Sequence, residues 1–204
     1  LLPNVIDLPA FDKEASKTLS GLAGKGRPVA LAVGNLHPVK RFDRFIRALA
    51  IAKRSVPDLM GIVVGDGPER PKLGSVARQL GVQDSDLRFL GARDDVPAIM
   101  DGSDMLVLTS DHEGFPNVIL EAMAARLPVI TAPAGDSPSI IENNVSGFVV
   151  PPNGDEQLAD RLVRLSSSPE LRKKMGAAGR RRVEAHFSST SLPARLLDLY
   201  LSAA

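Results

Sequence analysis

The 204-residue sequence has no cysteine and no tryptophan, and its aromatic residues make up only 4% of the chain. Without cysteine there is no disulfide framework, no thiol nucleophile and no zinc–cysteine site. With so few rings the core must be mostly aliphatic. No apolar run reaches the roughly eighteen residues of a membrane-spanning helix. An excess of one charge is missing too: 25 basic against 24 acidic side chains leave 25 − 24 = +1. That balance offers no global field for nucleic acid, although it permits a local anion site. The opening LLPNVIDLPAFDKE lacks both a basic lead and a long apolar stretch, and is expected to be neither signal peptide nor membrane anchor.

What is present is the composition of a soluble globular protein, 44% hydrophobic and 24% charged, in a length that suits one domain with extra length at its edges. Residues 1–27 read as a connector punctuated by Pro3, Pro9, Gly21, Gly24 and Gly26, without a periodic core. From Pro28 the chain alternates short aliphatic runs with helical periods. Strands are expected at 28–35 (PVALAVGN), 59–65, 87–91, 105–110, 128–131 and 147–150. Helices are expected from near Arg41, over 71–81, around DDVPAIMDG and over 117–127. This alternation predicts parallel βαβ units in a Rossmann-like, doubly wound α/β sheet, but carries no information on strand order. The main domain runs from 28 to 187. Its tail is helical, with Asp155 expected as one cap and Ser168, followed by Pro169, as another. Residues 188–204 carry a stripe of Leu192, Leu196, Leu199 and Tyr200, which either packs on the sheet or crosses to another domain of a larger protein.

Ligands of open parallel sheets gather beyond the carboxyl ends of the strands, where helix amino ends expose unpaired N–H groups. Five successive strand ends here carry polar or glycine-rich turns: Gly34-Asn35, Gly65-Asp66-Gly67-Pro68, Gly91, Ser110 to Asn117, and Gly135 to Ser139. Lys40 and Arg41 stand at the amino end of a helix, where their charge opposes the dipole and an anion such as a diphosphate would relieve them. A solvated charge pair is the alternative. The Gly65 and Gly67 turn allows close backbone approach but also suits any tight turn, and no G-x-G-x-x-G or Walker loop is present.

The stretch HEGFPNVILE, residues 112–121, holds two acids around a helix start. Gly114 frees the turn, Pro116 restrains φ, and Asn117 either caps the helix or is its first residue. Helical side chains lean towards the amino end, so Glu121 can approach the same rim as the loop acid Glu113. Two carboxylates repel phosphate but accept hydrogen bonds from sugar hydroxyls. The residues alone leave open that Glu113 is an exposed loop residue and Glu121 a favourable first-turn acid. His37, His112 and His186 lack metal-ligand spacing, as do Asp66, Asp94 and Asp95, so no metal site is expected. Lys173, Lys174, Arg172 and Arg180 to Arg182 form a basic helix that suits solvent or, less readily, phospholipid headgroups.

Taken together, these motifs resemble the carboxyl-terminal, nucleotide-sugar-binding domain of family 4 (group 1) GT-B glycosyltransferases. The strongest part is EGFPNVILEAMAARLPVIT, in which Glu113 and Glu121 match the family's E-x7-E pair. The resemblance implies that Glu113 contacts the donor sugar and Glu121 the ribose, and that Lys40 binds the diphosphate. It also implies backbone phosphate contacts from Phe115, Pro116, Asn117 and Val118, and matches Gly65, Gly67 and Pro68 to a G-x-G-P turn. RFLGARDD, with Leu90, resembles the loop whose backbone recognises the base. Two departures stand out. Gly34-Asn35-Leu36 and Lys40-Arg41 replace G-R-L and K-G, and Pro138 is followed by Ser139 where the family has glutamate.

The resemblance implies the donor half of a retaining enzyme that moves a sugar from a nucleoside diphosphate sugar to a hydroxyl acceptor, with Lys40 and Glu113 in catalytic roles and no cofactor. A UDP-sugar is the first expectation and a GDP-sugar the second. An amino-terminal acceptor domain would complete the enzyme, placed in the cytoplasm or peripherally at the inner face of a membrane. A nucleotide-sugar epimerase domain and a non-catalytic nucleotide-binding regulator are the rival readings, beside a plain interaction domain.

Overall fold

The computed structural model describes residues 4–17, 26–193 and 196. Six strands form one parallel sheet: β1 (Val29–Val33), β2 (Met60–Val64), β3 (Leu87–Phe89), β4 (Met105–Leu108), β5 (Val129–Thr131) and β6 (Gly147–Val149). Their order is β3-β2-β1-β4-β5-β6, with every pair parallel. The chain therefore builds outwards from β1 to β3, crosses back to place β4 beside β1, and builds outwards again. All six expected strands are present, trimmed by a residue or more at their ends.

Among the described residues the helices α1 (Leu8–Ala15), α2 (Phe42–Ala52), α3 (Arg70–Gln79), α4 (Val96–Asp101), α5 (Asn117–Ala124), α6 (Ser137–Ile140), α7 (Asp155–Ser166) and α8 (Pro169–His186) flank the sheet. The central strands are apolar on both faces because both are covered. Ala30, Ala32, Met105 and Val107 face the layer of α2, α3 and α7. Leu31, Ile62, Leu106 and Leu108 face that of α1, α4 and α5. Helix α8 passes from one layer to the other, with Met175 in the first and Val183 in the second. At Gly61 a Cβ would lie 2.7 Å from a Leu49 methyl and 2.9 Å from a Leu87 methyl. The missing side chain lets α2 settle onto the sheet.

The leader departs from the expectation of a stretch without a core. Asp7 caps α1, its carboxylate accepting from Ala10 N at 3.0 Å, and Leu8 and Phe11 are buried. Burying two such side chains contributes on the order of 4 kcal/mol, which holds a helix too short to persist alone. Further ties come from Arg180, bidentate to Asp12 at 2.6 and 2.8 Å, and from main-chain bonds of Ile6 to Phe187 and Ser189. Ser168 caps α8 through Leu171 N, with Pro169 at its first position. Asp155 is not a cap: Gly154 precedes α7, and Asp155 is its first residue. Its carboxylate is engaged by Arg47 instead, at 2.6 Å.

Of the carboxyl-terminal stripe, Leu192 is half-buried and Leu196 exposed; Leu199 and Tyr200 lie outside the described residues, as do Pro3, Gly21 and Gly24. Three of the six basic residues of α8 tie it to the domain. Arg172 pairs with Asp104, Arg180 with Asp12, and Arg182 bonds the carbonyls of Ser139 and Ile140. Lys173, Lys174 and Arg181 are exposed. Among the described residues no helix is long and apolar enough to cross a membrane.

Candidate functional site

Because β1 and β4 are neighbours, the loops that follow them emerge side by side, at the switch point where open α/β sheets form crevices. There a cleft of about 680 Å³ opens. From the β1 side it is lined by Gly34, Asn35 and Lys40, and from the β4 side by Glu113, Phe115, Pro116, Asn117, Val118 and Glu121. Nine of the residues singled out in the sequence thus share one wall-to-wall space.

Lys40 ends the short 3₁₀ turn Pro38–Lys40. Its Nζ lies 2.8 and 2.9 Å from the two carboxylate oxygens of Glu113, whose Oε1 also accepts from Ser110 Oγ at 2.6 Å. The loop carrying Glu113 rests on Gly135, where φ is +54° and a Cβ would lie 2.2 Å from the Glu113 carbonyl oxygen. Only glycine meets both the left-handed backbone and the close approach. Asp136 N donates to Gly114 O at 3.1 Å beside it.

Pro116 precedes α5 in an extended conformation, and Asn117 is its first residue. The N–H groups of Asn117 and Val118 have no partner within the helix at these positions. The Asn117 side chain does not cap the helix; its Oδ1 accepts from Asn4 Nδ2 at 2.9 Å. Glu121 is the fifth helical residue, so it is not a first-turn acid. Burial raises its pKa above the ordinary carboxyl value, and no carboxyl hydrogen bond or ion pair is made among the described residues. The cleft therefore holds one paired acid and one desolvated acid.

A second hollow of about 260 Å³ adjoins the cleft through Gly34 and Asn35 and is lined further by Gly65, Asp66, Ala92 and Arg93. At Gly65, with φ +125°, a Cβ would lie 2.0 Å from Gly34 O. This contact draws the ends of β1 and β2 together. Gly67 faces the Leu36 main chain, and Leu90 packs partly buried against the layer of α4 and α5; neither lines the two spaces.

Arg41 is not brought to the cleft. It occupies the left-handed region, φ 50° and ψ 42°, at a cost of roughly 1–2 kcal/mol for a residue with a Cβ. Its guanidinium turns to Asp43 and Asp111. The hydrogen bonds it donates to these two carboxylates, Asp43 first, raise its pKa. His37 and His112 are exposed and outside the cleft. Ile6, Ala10, Phe11 and Glu14 of the leader line it, an unexpected wall. The signal for them was Asp7 followed by Pro9, a cap and first-turn proline. Among the described residues no group of three or more His, Cys, Asp or Glu is assembled for a metal ion.

The chain matches the family "Glycosyl transferases group 1" over residues 17–182. It is 30% identical over 199 residues to an N-acetyl-alpha-D-glucosaminyl L-malate synthase of Bacillus anthracis, covering 97% of this chain and 52% of that one. HepE of Anabaena, solved in complex with UDP and glucose, superposes with a TM-score of 0.86 at 25% identity, over 98% of this chain and 56% of that one. The carboxyl-terminal domain of the group 1 family protein LpcC of Francisella tularensis gives 0.75 at 26% identity, over 90% of this chain and 99% of that one. The chain spans about half the length of the curated relatives it matches.

Proposed function

The chain belongs to the group 1 glycosyltransferases, a half of the GT-B fold by its sheet, and we propose that it is the donor half of a retaining enzyme. It would hold a nucleoside diphosphate sugar for transfer to a hydroxyl acceptor carried by an amino-terminal domain. The observation that carries this reading is the convergence of Lys40, Glu113, Glu121 and the amino end of α5 on one cleft.

The roles follow from charge. Lys40 and the N–H groups of Phe115, Asn117 and Val118 suit a diphosphate, whose oxygens accept both charge-assisted and main-chain hydrogen bonds. In transfer the bond from the anomeric carbon to the diphosphate breaks and its electron pair departs on phosphate. Donors already aimed at that oxygen lower the barrier, because they need no reorganisation as charge develops. The acceptor oxygen bonds the anomeric carbon from the face that the diphosphate leaves, and its proton passes to the departing diphosphate oxygen. Glu113, beside Lys40, orients the sugar through its hydroxyls and opposes the positive charge that grows on the ring. Glu121, desolvated and unpartnered, accepts from the ribose. The hollow reaching Gly65 and Arg93 suits the base end, with Gly67 and Leu90 shaping its walls from behind. Arg41 has no place among the phosphate ligands in this reading, which leaves Lys40 as their cationic side chain. Any contact with a membrane surface would fall to Lys173, Lys174 and Arg181.

UDP heads the donor panel because HepE was solved with it; GDP and ADP follow. Titration of the full-length protein with the three diphosphates and their sugars is expected to give saturable binding, weakened at least tenfold by Lys40→Ala and Glu121→Ala. Folded protein that binds none of the panel would refute the reading.

A further inference from the structure

Beside the cleft lies a row of charges that donor binding leaves unused. Arg41 Nη1 lies 3.2 and 3.0 Å from the two carboxylate oxygens of Asp111, and its Nε 3.1 Å from Asp43. Asp43 also pairs with Arg47 Nη2 at 2.9 Å. Arg47 Nε reaches Asp155 at 2.6 Å, and Arg44 Nε stands 3.6 Å from the other Asp155 oxygen. Three arginines and three aspartates alternate, so the row carries no net charge and has no need of an anion from outside.

Its position is what gives it meaning. Arg44 is 1% exposed, and its guanidinium donates to the carbonyls of Thr109 and Pro151 at 3.3 and 3.0 Å. The Thr109 hydroxyl in turn donates to the carbonyls of Lys40 and Arg41 at 3.0 and 2.8 Å, and Asp111 N donates to Val39 O at 2.9 Å. Segments 39–41 and 109–111 are thereby stitched together. Lys40 sits inside the first, and Glu113 lies just past the second. The tip of that loop is backed by Gly135 and Asp136 on one side and open on the other, where a Cβ on Gly114 would meet nothing within 4 Å. Among the described residues, Arg41–Asp111 is the tie between two side chains of the α2 turn and this loop apart from Lys40–Glu113 itself, and it lies nearer Glu113 than the Thr109 bonds do. That second tie must loosen when a diphosphate takes Lys40. A left-handed arginine held by two carboxylates is strain that the surroundings over-determine.

We propose that Arg41 and Asp111 are positioning residues that fix the spacing of Lys40 and Glu113 once donor has parted them, so that diphosphate and sugar meet one rigid frame. The proposal rests on the donor-binding reading above. Neither residue touches the donor. Loss of the clamp leaves Lys40 able to meet a diphosphate but lets Glu113 drift from the sugar.

The test compares UDP with UDP-glucose on the full-length protein, or the diphosphate and sugar of whichever panel member the wild type binds best. Asp111→Asn and Arg41→Lys are expected to leave Kd for the diphosphate no weaker than twofold. The ratio of Kd for the nucleotide sugar to Kd for the diphosphate should rise about fivefold in each. The double variant should be no worse than Arg41→Lys alone, since Asp111→Asn then removes a partner that Arg41→Lys has already released, although Arg41→Lys also loosens Asp43. Asp111→Glu keeps the carboxylate and should hold the ratio within twofold, whereas a merely structural loop would tolerate the isosteric amide better than the longer acid. An unchanged ratio in Asp111→Asn and Arg41→Lys, additive losses, or a Glu variant as poor as Asn would overturn the clamp while the donor site stands. A wild type that binds no nucleotide would remove the donor site and the clamp with it.

Discussion

Replacing Glu113 by glutamine should make the protein bind UDP more tightly while damaging its use of the sugar. Lys40 Nζ is held by both Glu113 oxygens at 2.8 and 2.9 Å, with side-chain exposures of 27% and 11%. A diphosphate arriving at Lys40 must displace that carboxylate and then remain near it. For a phosphate charge about 6.5 Å from the carboxylate, with an effective dielectric constant of about 40 between protein surface and water, the repulsion is about 1.3 kcal/mol. The pair itself, mostly buried but open to the cleft, contributes on the order of 1 kcal/mol, and glutamine retains an acceptor for Ser110. The net expectation is a Kd for UDP about five- to tenfold lower. A nucleotide sugar gains less, because the amide is a poorer acceptor for sugar hydroxyls, and transfer slows. Calorimetric titration of wild type and Glu113→Gln with UDP and with UDP-glucose at fixed salt measures both effects. Weaker UDP binding by the glutamine variant would show that Lys40 and Glu113 do not face the diphosphate as argued.

Burial raises the folded pKa of Glu121 above its unfolded value of 4.5, so the protonated form is favoured in the native state. The associated stability is fully present below that value and is lost as pH rises through the folded pKa. Glu121→Gln should therefore melt higher than wild type near pH 7, with the gap closing towards pH 4, and should bind UDP more weakly; a lower melting temperature at neutral pH would contradict the desolvation argument. Gly135→Ala places a Cβ 2.2 Å from Glu113 O at φ +54°, and should cost about 2 kcal/mol or more in denaturant unfolding along with donor affinity. Asn35→Arg adds a cation to a residue that lines both hollows; UDP binding should tighten by roughly threefold to tenfold, as befits one partly screened charge, and the gain should shrink at high salt.

The strands were legible because buried aliphatic runs bounded by glycine and proline have few other uses in a chain of this length. Their order was not, since periodicity says which face is apolar and nothing about which neighbour it meets. The approach of Glu121 to the cleft followed from the lean of helical side chains, while its desolvation needed the surrounding helices. Arg41 shows where adjacency misleads. Adjacency to Lys40 points it to the same anion, but a left-handed backbone at a non-glycine residue is not written in the sequence, and Asp111 is 70 positions away. Helix α1 was missed because its eight residues place only Leu8 and Phe11 in the core, too few to reveal a period.

The crossing of the chain between β3 and β4 has a consequence for what the fold can lose. Each three-stranded half is a βαβαβ unit in its own right, but one half owns Lys40 and the other owns both acids. A break in the turn at 102–104 would leave fragments with complementary halves of a recognition surface and neither with a working one. On the proposed reading specificity belongs to the seam, and removing either side should abolish it.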